Sequence, residues 1–167
     1  MMIETPRLRI CDFTPEMARA VHLGSMDEDM RRFLPDEIFG TEEIAREVIA
    51  ELIECAASDE GPFVHPCLLH DGTYVGYVQF VPAEGGYEVG YHIVAGHTGK
   101  GYATEALLAF MPVMMARLGL HEVWGICDAR NAASIRVLEK CAFRLVFSGN
   151  APYQGSVRPV VKLVYSR

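Results

Sequence analysis

The strongest constraint on the fold is a change in hydrophobic periodicity at Phe63. Before this residue, apolar side chains recur at helical spacing, as in the segment that begins at Thr41 with acidic residues in its first turn. After it, residues 63–94 form apolar runs separated by Asp71-Gly72 and by a second glycine-containing turn at 84–86. This pattern predicts a three-stranded antiparallel meander. The chain is therefore restricted to folds in which helices cover a sheet.

The remainder of the chain alternates predicted helices and strands. Helices are predicted over residues 101–118, where Gly119 is the stop signal, and over residues 131–141. Strands are predicted at the following segments: 7–13, 123–127, 143–147 and 157–165. We expect an α/β (α+β) fold with a mostly antiparallel sheet, in a single domain that spans residues 1–167.

The charge of the chain limits its partners. It has 22 acidic and 15 basic residues, a formal net charge of −7. Nucleic acid would meet net repulsion, so we expect no nucleic-acid partner. Residues 14–60 hold 13 of the acids and four of the bases. This segment either favours a cationic ligand or carries its acids on solvated helix surfaces.

The cysteines and histidines indicate neither a disulfide framework nor a metal site. The five cysteines form no CxxC pair, and the six histidines form no HExxH pair. Residues 1–10 lack the apolar core of a signal peptide, and no apolar stretch approaches the ~20 residues that span a bilayer. We expect a cytoplasmic protein with free thiols, no metal and no membrane contact.

Residues 96–104 carry the most informative motif, Gly-His-Thr-Gly-Lys-Gly-Tyr-Ala-Thr. The segment lies between a predicted strand and the predicted helix at 101–118. Glycines there let an anion approach the N–H groups that a helix start leaves unpaired. A Walker A loop needs Ser or Thr where Gly101 stands, and a dinucleotide fingerprint needs glycine where Thr104 stands. The segment is either an anion cradle of another type or a tight turn that begins the helix.

The segment Thr98–Ala103 resembles the acyl-CoA pyrophosphate loop of the GNAT N-acetyltransferases, Q/R-x-x-G-x-G/A, with Thr98 where Gln or Arg is usual. Further segments extend the resemblance, in order, over nearly the whole chain and point to the RimJ/RimL-like branch: Glu4–Ile10, Glu88–Tyr91, Gly99–Leu107, Asn131–Ser134 and Val137–Arg144. The resemblance implies a mixed, mostly antiparallel sheet of six to seven strands covered by helices. Its central strands, here 87–94 and 123–127, are expected to splay apart.

The same resemblance implies acetyl-CoA as cosubstrate, bound between the splayed strands, and no metal ion. The pantetheine arm would pair with the backbone near Ile93 and Val94 and pass Asn131 and Ser134. The pyrophosphate would lie on the turn formed by Thr98, Gly99, Lys100, Gly101, Tyr102, Ala103 and Thr104.

Glu88 is the candidate base that would take a proton from the attacking amine. Strand alternation places it on one face with His92, although Glu88 could instead be a structural carboxylate and His92 a packing residue. By resemblance, Ser134 is the candidate acid near the sulfur; it could also only hydrogen-bond its own helix turn. Many GNAT enzymes use a tyrosine at the position of Leu138, which leaves Tyr153 as another candidate.

The function implied is an acetyl-CoA-dependent N-acetyltransferase, in which a primary amine attacks the thioester directly. The acceptor is either the N-terminal amine of a protein or a small-molecule amine, because acceptor loops diverge on a shared fold. The alternative is a non-catalytic acyl-CoA-binding sensor or interaction module. Exposed strand edges make a homodimer a further expectation.

Overall fold

The computed structural model describes residues 1–58 and 61–167. Within them, eight strands form one mixed sheet with the order β1-β2-β3-β4-β5-β6-β8-β7. Neighbouring strands are antiparallel except β5 and β6, which are parallel. The strands are β1 (Met2–Glu4), β2 (Leu8–Cys11), β3 (Phe63–Leu69), β4 (Tyr74–Ala83), β5 (Gly86–Ile93), β6 (Glu122–Asp128), β7 (Arg144–Tyr153) and β8 (Ser156–Ser166).

Five α-helices accompany the sheet in the described parts of the chain: α1 (Ala18–Gly24), α2 (Glu28–Phe33), α3 (Glu42–Ala57), α4 (Tyr102–Leu118) and α5 (Ala132–Lys140). Local signals start and stop them. The Thr41 side chain accepts a hydrogen bond from the Ile44 N–H and so caps α3. Helix α4 begins after Gly101 and ends before Gly119, both in the left-handed conformation that glycine adopts readily.

Two apolar clusters show that helices cover both faces of the sheet. One joins α4 to the sheet through large buried side chains such as Phe63, Phe80 and Phe110. The other, which includes Phe13 and Ile49, packs α1 and α3 against the opposite face. The predicted mixed, mostly antiparallel sheet with covering helices is confirmed. It has eight strands rather than six to seven, because the three residues of β1 pair with β2.

The central strands separate as expected. Strand β5 pairs with β4 along its whole length, from Gly86 to Ile93. It pairs with β6 in parallel at Glu88 and Trp124 alone. Beyond this point the two strands diverge, and the sheet opens between them. No helix within residues 1–58 and 61–167 is both long enough and apolar enough to cross a membrane.

Candidate active site

The opening between β5 and β6 continues into a cleft of about 370 Å³. One side of the cleft is formed by the glycine turn before α4 and by α5. The other side is formed by α2, the turn that follows it, and the tip of the β7–β8 hairpin. The diverging strands thus connect two chemically different ends of one cavity.

The glycine turn presents backbone donors to this cleft. Gly99 and Gly101 have φ values of 74° and 82°, which strongly favour glycine. The Glu105 N–H bonds the Gly101 carbonyl at 3.0 Å, the first bond of the helix. The N–H groups of residues 102–104 precede it and have no acceptor within the helix. Together with the positive end of the helix dipole they suit an anion.

Most of the predicted cosubstrate residues line the cleft; Val94 and Lys100 lie outside it. The lining residues are Ile93, Thr98, Gly99, Gly101, Tyr102, Ala103, Thr104, Asn131 and Ser134. The Val94 N–H bonds the carbonyl of Val75 at 3.0 Å, so its amide faces β4. Because antiparallel pairing alternates along a strand, the amides of Ile93 and Tyr91 face the opening. Of the predicted pair Ile93 and Val94, only Ile93 therefore has an amide that faces the opening.

Glu88 lies at the point where β5 and β6 diverge, and it lines the cleft. Burial raises its pKa to about 7, and the negative charge of Glu37 adds to the rise. Lys162 opposes the rise, with its ammonium 4.3 Å from the centre of the Trp124 ring. A carboxylate with this pKa can both accept and release a proton near neutral pH.

Glu37 is a second carboxylate at this end of the cleft, and sequence reasoning did not single it out. It ends the helical turn after α2, and the Tyr77 hydroxyl donates a hydrogen bond to it. Burial raises its pKa above the ordinary value. The only sequence signal was the acidic balance of residues 14–60, which does not distinguish Glu37 from its neighbours.

His92 shares the face of Glu88, as strand alternation predicts, but it is engaged elsewhere. Its Nε2 lies 3.2 Å from a carboxylate oxygen of Asp27. The other oxygen of Asp27 accepts from the Met30 N–H and caps α2. Burial lowers the pKa of His92, which favours the neutral ring. The pair therefore attaches α2 to β5 and holds one wall of the cleft.

Gln79 explains the glycine in the Glu-Val-Gly-Tyr segment. It is the cross-strand partner of Gly90. A β-carbon at Gly90 would lie 2.5 Å from Nε2 of Gln79, so the amide side chain occupies the space that a larger residue would take. Both residues line the cleft beside Tyr77. Gly90 thus admits a polar side chain to the floor of the cleft.

Ser134 lines the cleft beside a tyrosine that the sequence did not indicate as its partner. The hydroxyls of Ser134 and Tyr91 lie 2.9 Å apart, and the Tyr91 hydroxyl is 2.7 Å from the Ser134 carbonyl oxygen. Burial raises the pKa of Tyr91, so its hydroxyl remains protonated. The Asn131 side chain caps α5 by accepting from the Ser134 N–H. Leu138, by contrast, is buried in the core.

The two ends of the cleft differ in charge. Arg136 and Lys140 line it along α5, on the side of the glycine turn. Asp29, Glu37 and Glu88 line the opposite end. Oδ2 of the buried Asp128 lies 2.6 Å from a guanidinium nitrogen of Arg130 and 3.6 Å from one of Arg158, so both cations are paired with this carboxylate. One end therefore favours an anion and the other a cation. No group of three potential ligands among the described residues is placed to hold a metal ion.

The chain is similar in sequence to known proteins. The family described as "Acetyltransferase (GNAT) domain" matches residues 7–144. YnaD of Bacillus subtilis strain 168, described as an uncharacterized N-acetyltransferase, is 30% identical over 151 residues, which cover 86% of this chain and 83% of YnaD.

Solved structures share the fold. A GNAT-family acetyltransferase from Bacillus anthracis superposes with a TM-score of 0.85 at 26% identity, covering 99% of this chain and 98% of that one. RimL, a ribosomal L7/L12 alpha-N-protein acetyltransferase solved in complex with coenzyme A, superposes with a TM-score of 0.82 at 19% identity, with the same coverage.

Proposed function

Because the chain belongs to the GNAT family of acetyltransferases, we propose that it transfers the acetyl group of acetyl-CoA to a primary amine that binds as a cation. One observation carries the proposal. A single cleft joins the donor-rich glycine turn at one end to the carboxylate of Glu88 at the other. An anionic cosubstrate and a cationic acceptor would meet where β5 and β6 diverge.

The CoA moiety would follow the opening in the sheet. Its diphosphate would accept hydrogen bonds from the N–H groups between Gly99 and Thr104. Its pantetheine amides would pair with the backbone of Tyr91 and Ile93, as an added strand does. Arg136 and Lys140 supply positive charge on the same side. The thioester would then lie between Glu88 and the hydroxyls of Tyr91 and Ser134.

The reaction needs three proton movements. The acceptor ammonium loses a proton to Glu88, and the free amine attacks the thioester carbonyl to form a C–N bond. When the C–S bond breaks, the thiolate takes a proton from the hydroxyl pair of Tyr91 and Ser134. The attacking nitrogen loses its second proton either to that pair, which is thereby reprotonated, or to solvent, which then reprotonates the pair. Much of the acceleration comes from holding amine and thioester together.

The charge at the acceptor end favours one chemical class of amine. Asp29, Glu37 and Glu88 attract an ammonium group, and the nearby Arg158 is engaged by Asp128. A free amino acid would bring its own carboxylate next to these acids, whereas a peptide N-terminus would not. RimL acts, by its description, on the N-terminus of a ribosomal protein. We infer that a peptide α-amine, in the cytoplasm, is the acceptor.

A matched pair of acceptors tests this proposal. Melting curves with and without acetyl-CoA come first, since saturation at 100 times Kd adds ~2.7 kcal/mol of stability. Release of free CoA thiol is then measured with an amino acid and with its amide, which lacks only the carboxylate. We expect thiol release with the amide and with N-terminal peptides, and little with the amino acid. Stabilisation without thiol release from any amine would support the non-catalytic alternative.

A further inference from the structure

Arg7 contacts the start of α4 although 98 residues separate it from Glu105. Its Nε donates to Oε2 of Glu105 at 2.6 Å, and one guanidinium NH2 group lies 2.6 Å from the same oxygen. The backbone N–H of Arg7 and the hydroxyl of Thr5 donate to Oε1, at 2.9 and 2.6 Å. Both carboxylate oxygens of Glu105 are therefore held by the turn between β1 and β2.

The same guanidinium also holds the glycine turn. The NH1 group of Arg7 donates to the carbonyl oxygen of Lys100 at 2.7 Å. The guanidinium carbon lies 4.8 Å from the centre of the Tyr102 ring, a cation–π contact. One side chain thus touches the residues immediately before and after Gly101.

These contacts fix the direction of a backbone donor. In a planar trans peptide the N–H points opposite to the C=O. With the Lys100 carbonyl bound to Arg7, the N–H of Gly101 must point away from Arg7. Gly101 lines the cleft and Lys100 does not. Because this peptide is followed by Gly101, whose φ is 82°, the backbone itself resists its rotation little, and that rotation would turn a carbonyl oxygen toward a bound anion.

Arg7 also compensates a charge. Glu105 lies in the first turn of α4, where an ionised carboxylate repels an anion at the helix N-terminus. Burial tends to raise the pKa of Glu105, but the hydrogen bonds from Thr5 and Arg7 outweigh it and the pKa is lowered. The carboxylate therefore stays ionised, and the Arg7 guanidinium offsets its charge.

We propose that Arg7 is a positioning residue for the diphosphate of acetyl-CoA, acting through the Lys100 carbonyl and Glu105. The inference rests on the proposed binding of acetyl-CoA at the glycine turn and assigns a determinant of that binding outside the turn. It predicts that Arg7 matters for the nucleotide half of the ligand and not for the pantetheine half.

Calorimetric titration with two ligands tests this division. Arg7→Met is compared with the wild type and with Arg9→Met. The control removes the charge of a neighbouring arginine that makes none of these contacts with Glu105 and Lys100. We expect Arg7→Met to weaken CoA binding about tenfold, because the diphosphate loses one hydrogen bond, from the N–H of Gly101. Pantetheine binding should be unchanged. The KM for acetyl-CoA should rise by the same factor with kcat nearly unchanged. Arg9→Met should match the wild type.

Two further variants keep the inference testable if Arg7→Met folds poorly. Arg7→Lys retains the charge but not the forked geometry, and we expect a smaller loss that is still confined to CoA. In Arg7→Met/Glu105→Gln the uncompensated carboxylate is gone, and part of the CoA affinity should return. Equal weakening toward CoA and pantetheine, or unchanged CoA affinity in Arg7→Met, would overturn the inference. A wild-type protein that binds no CoA would instead refute the proposed function.

Discussion

Replacing Glu88 with Gln removes the proposed base while keeping the shape of the side chain. With a pKa of about 7, only about one tenth of Glu88 is ionised at pH 6, whereas an ordinary glutamate would be almost fully ionised. The kcat/KM of the wild type should therefore fall about tenfold per pH unit below pH 7. Glu88→Gln should lower kcat by ~10²–10⁴-fold and abolish this limb.

The assay is thiol release between pH 5 and 9 with one peptide acceptor for all variants. Deprotonation of the acceptor amine affects every variant equally, so a difference between the pH profiles of two variants reports the titration of groups on the enzyme. CoA affinity, measured by titration, should be the same in Glu88→Gln and the wild type. An acid limb that persists unchanged in Glu88→Gln would exclude Glu88 as the base.

Neighbouring charges provide a graded control on the same experiment. Glu37 raises the pKa of Glu88 and Lys162 lowers it, both acting in addition to burial. Glu37→Gln should therefore move the acid limb to lower pH, and Lys162→Met should move it to higher pH. The groups that surround Glu37 and Glu88 also include Asp36, Tyr77, Tyr153 and the Asp27–His92 pair, which stay unchanged in both variants. Shifts in the wrong direction would contradict the electrostatic argument.

The remaining predictions concern stability and the second proton transfer. The folded-state pKa of Glu88 exceeds its ordinary 4.5, so its ionisation lowers the free energy of unfolding as pH rises from about 4.5 to 7. Glu88→Gln avoids this loss of ~2 kcal/mol and should melt several degrees above the wild type at pH 8. At pH 4.5 the two proteins should melt at the same temperature. Hydrogen bonds from Arg130 lower the pKa of Asp128 to about 2, so its stabilisation is lost as pH falls below about 4. Asp128→Asn should cost ~2–4 kcal/mol in urea unfolding at pH 7, and a smaller difference at pH 7 than at pH 2 would contradict this. Tyr91→Phe and Ser134→Ala should each lower kcat about tenfold or more, and the double variant little further, because the hydroxyls act as a unit; additive losses would argue for separate roles.

Local chemistry made several elements predictable from sequence. Thr41 starts α3 through a bond to a backbone N–H three residues on, and the glycines at 101 and 119 bound α4 through their own backbone conformation. Strand β1 was missed because three residues are too short for a period-2 pattern, and its stability comes from pairing with β2. Pairing across a sheet is a property of two segments, and one segment does not reveal it.

The same division holds for the candidate site. The sequence by itself determined the glycine turn, the alternation that places Glu88 and His92 on one face, and the family to which these motifs belong. It did not identify Glu37, Arg7 or the partner of Ser134. Tyr77 and Glu37 are 40 residues apart, and Tyr91 and Ser134 are 43 apart. Only tertiary folding brings these groups together, and burial among them, rather than any local motif, sets the charge and pKa of the cleft.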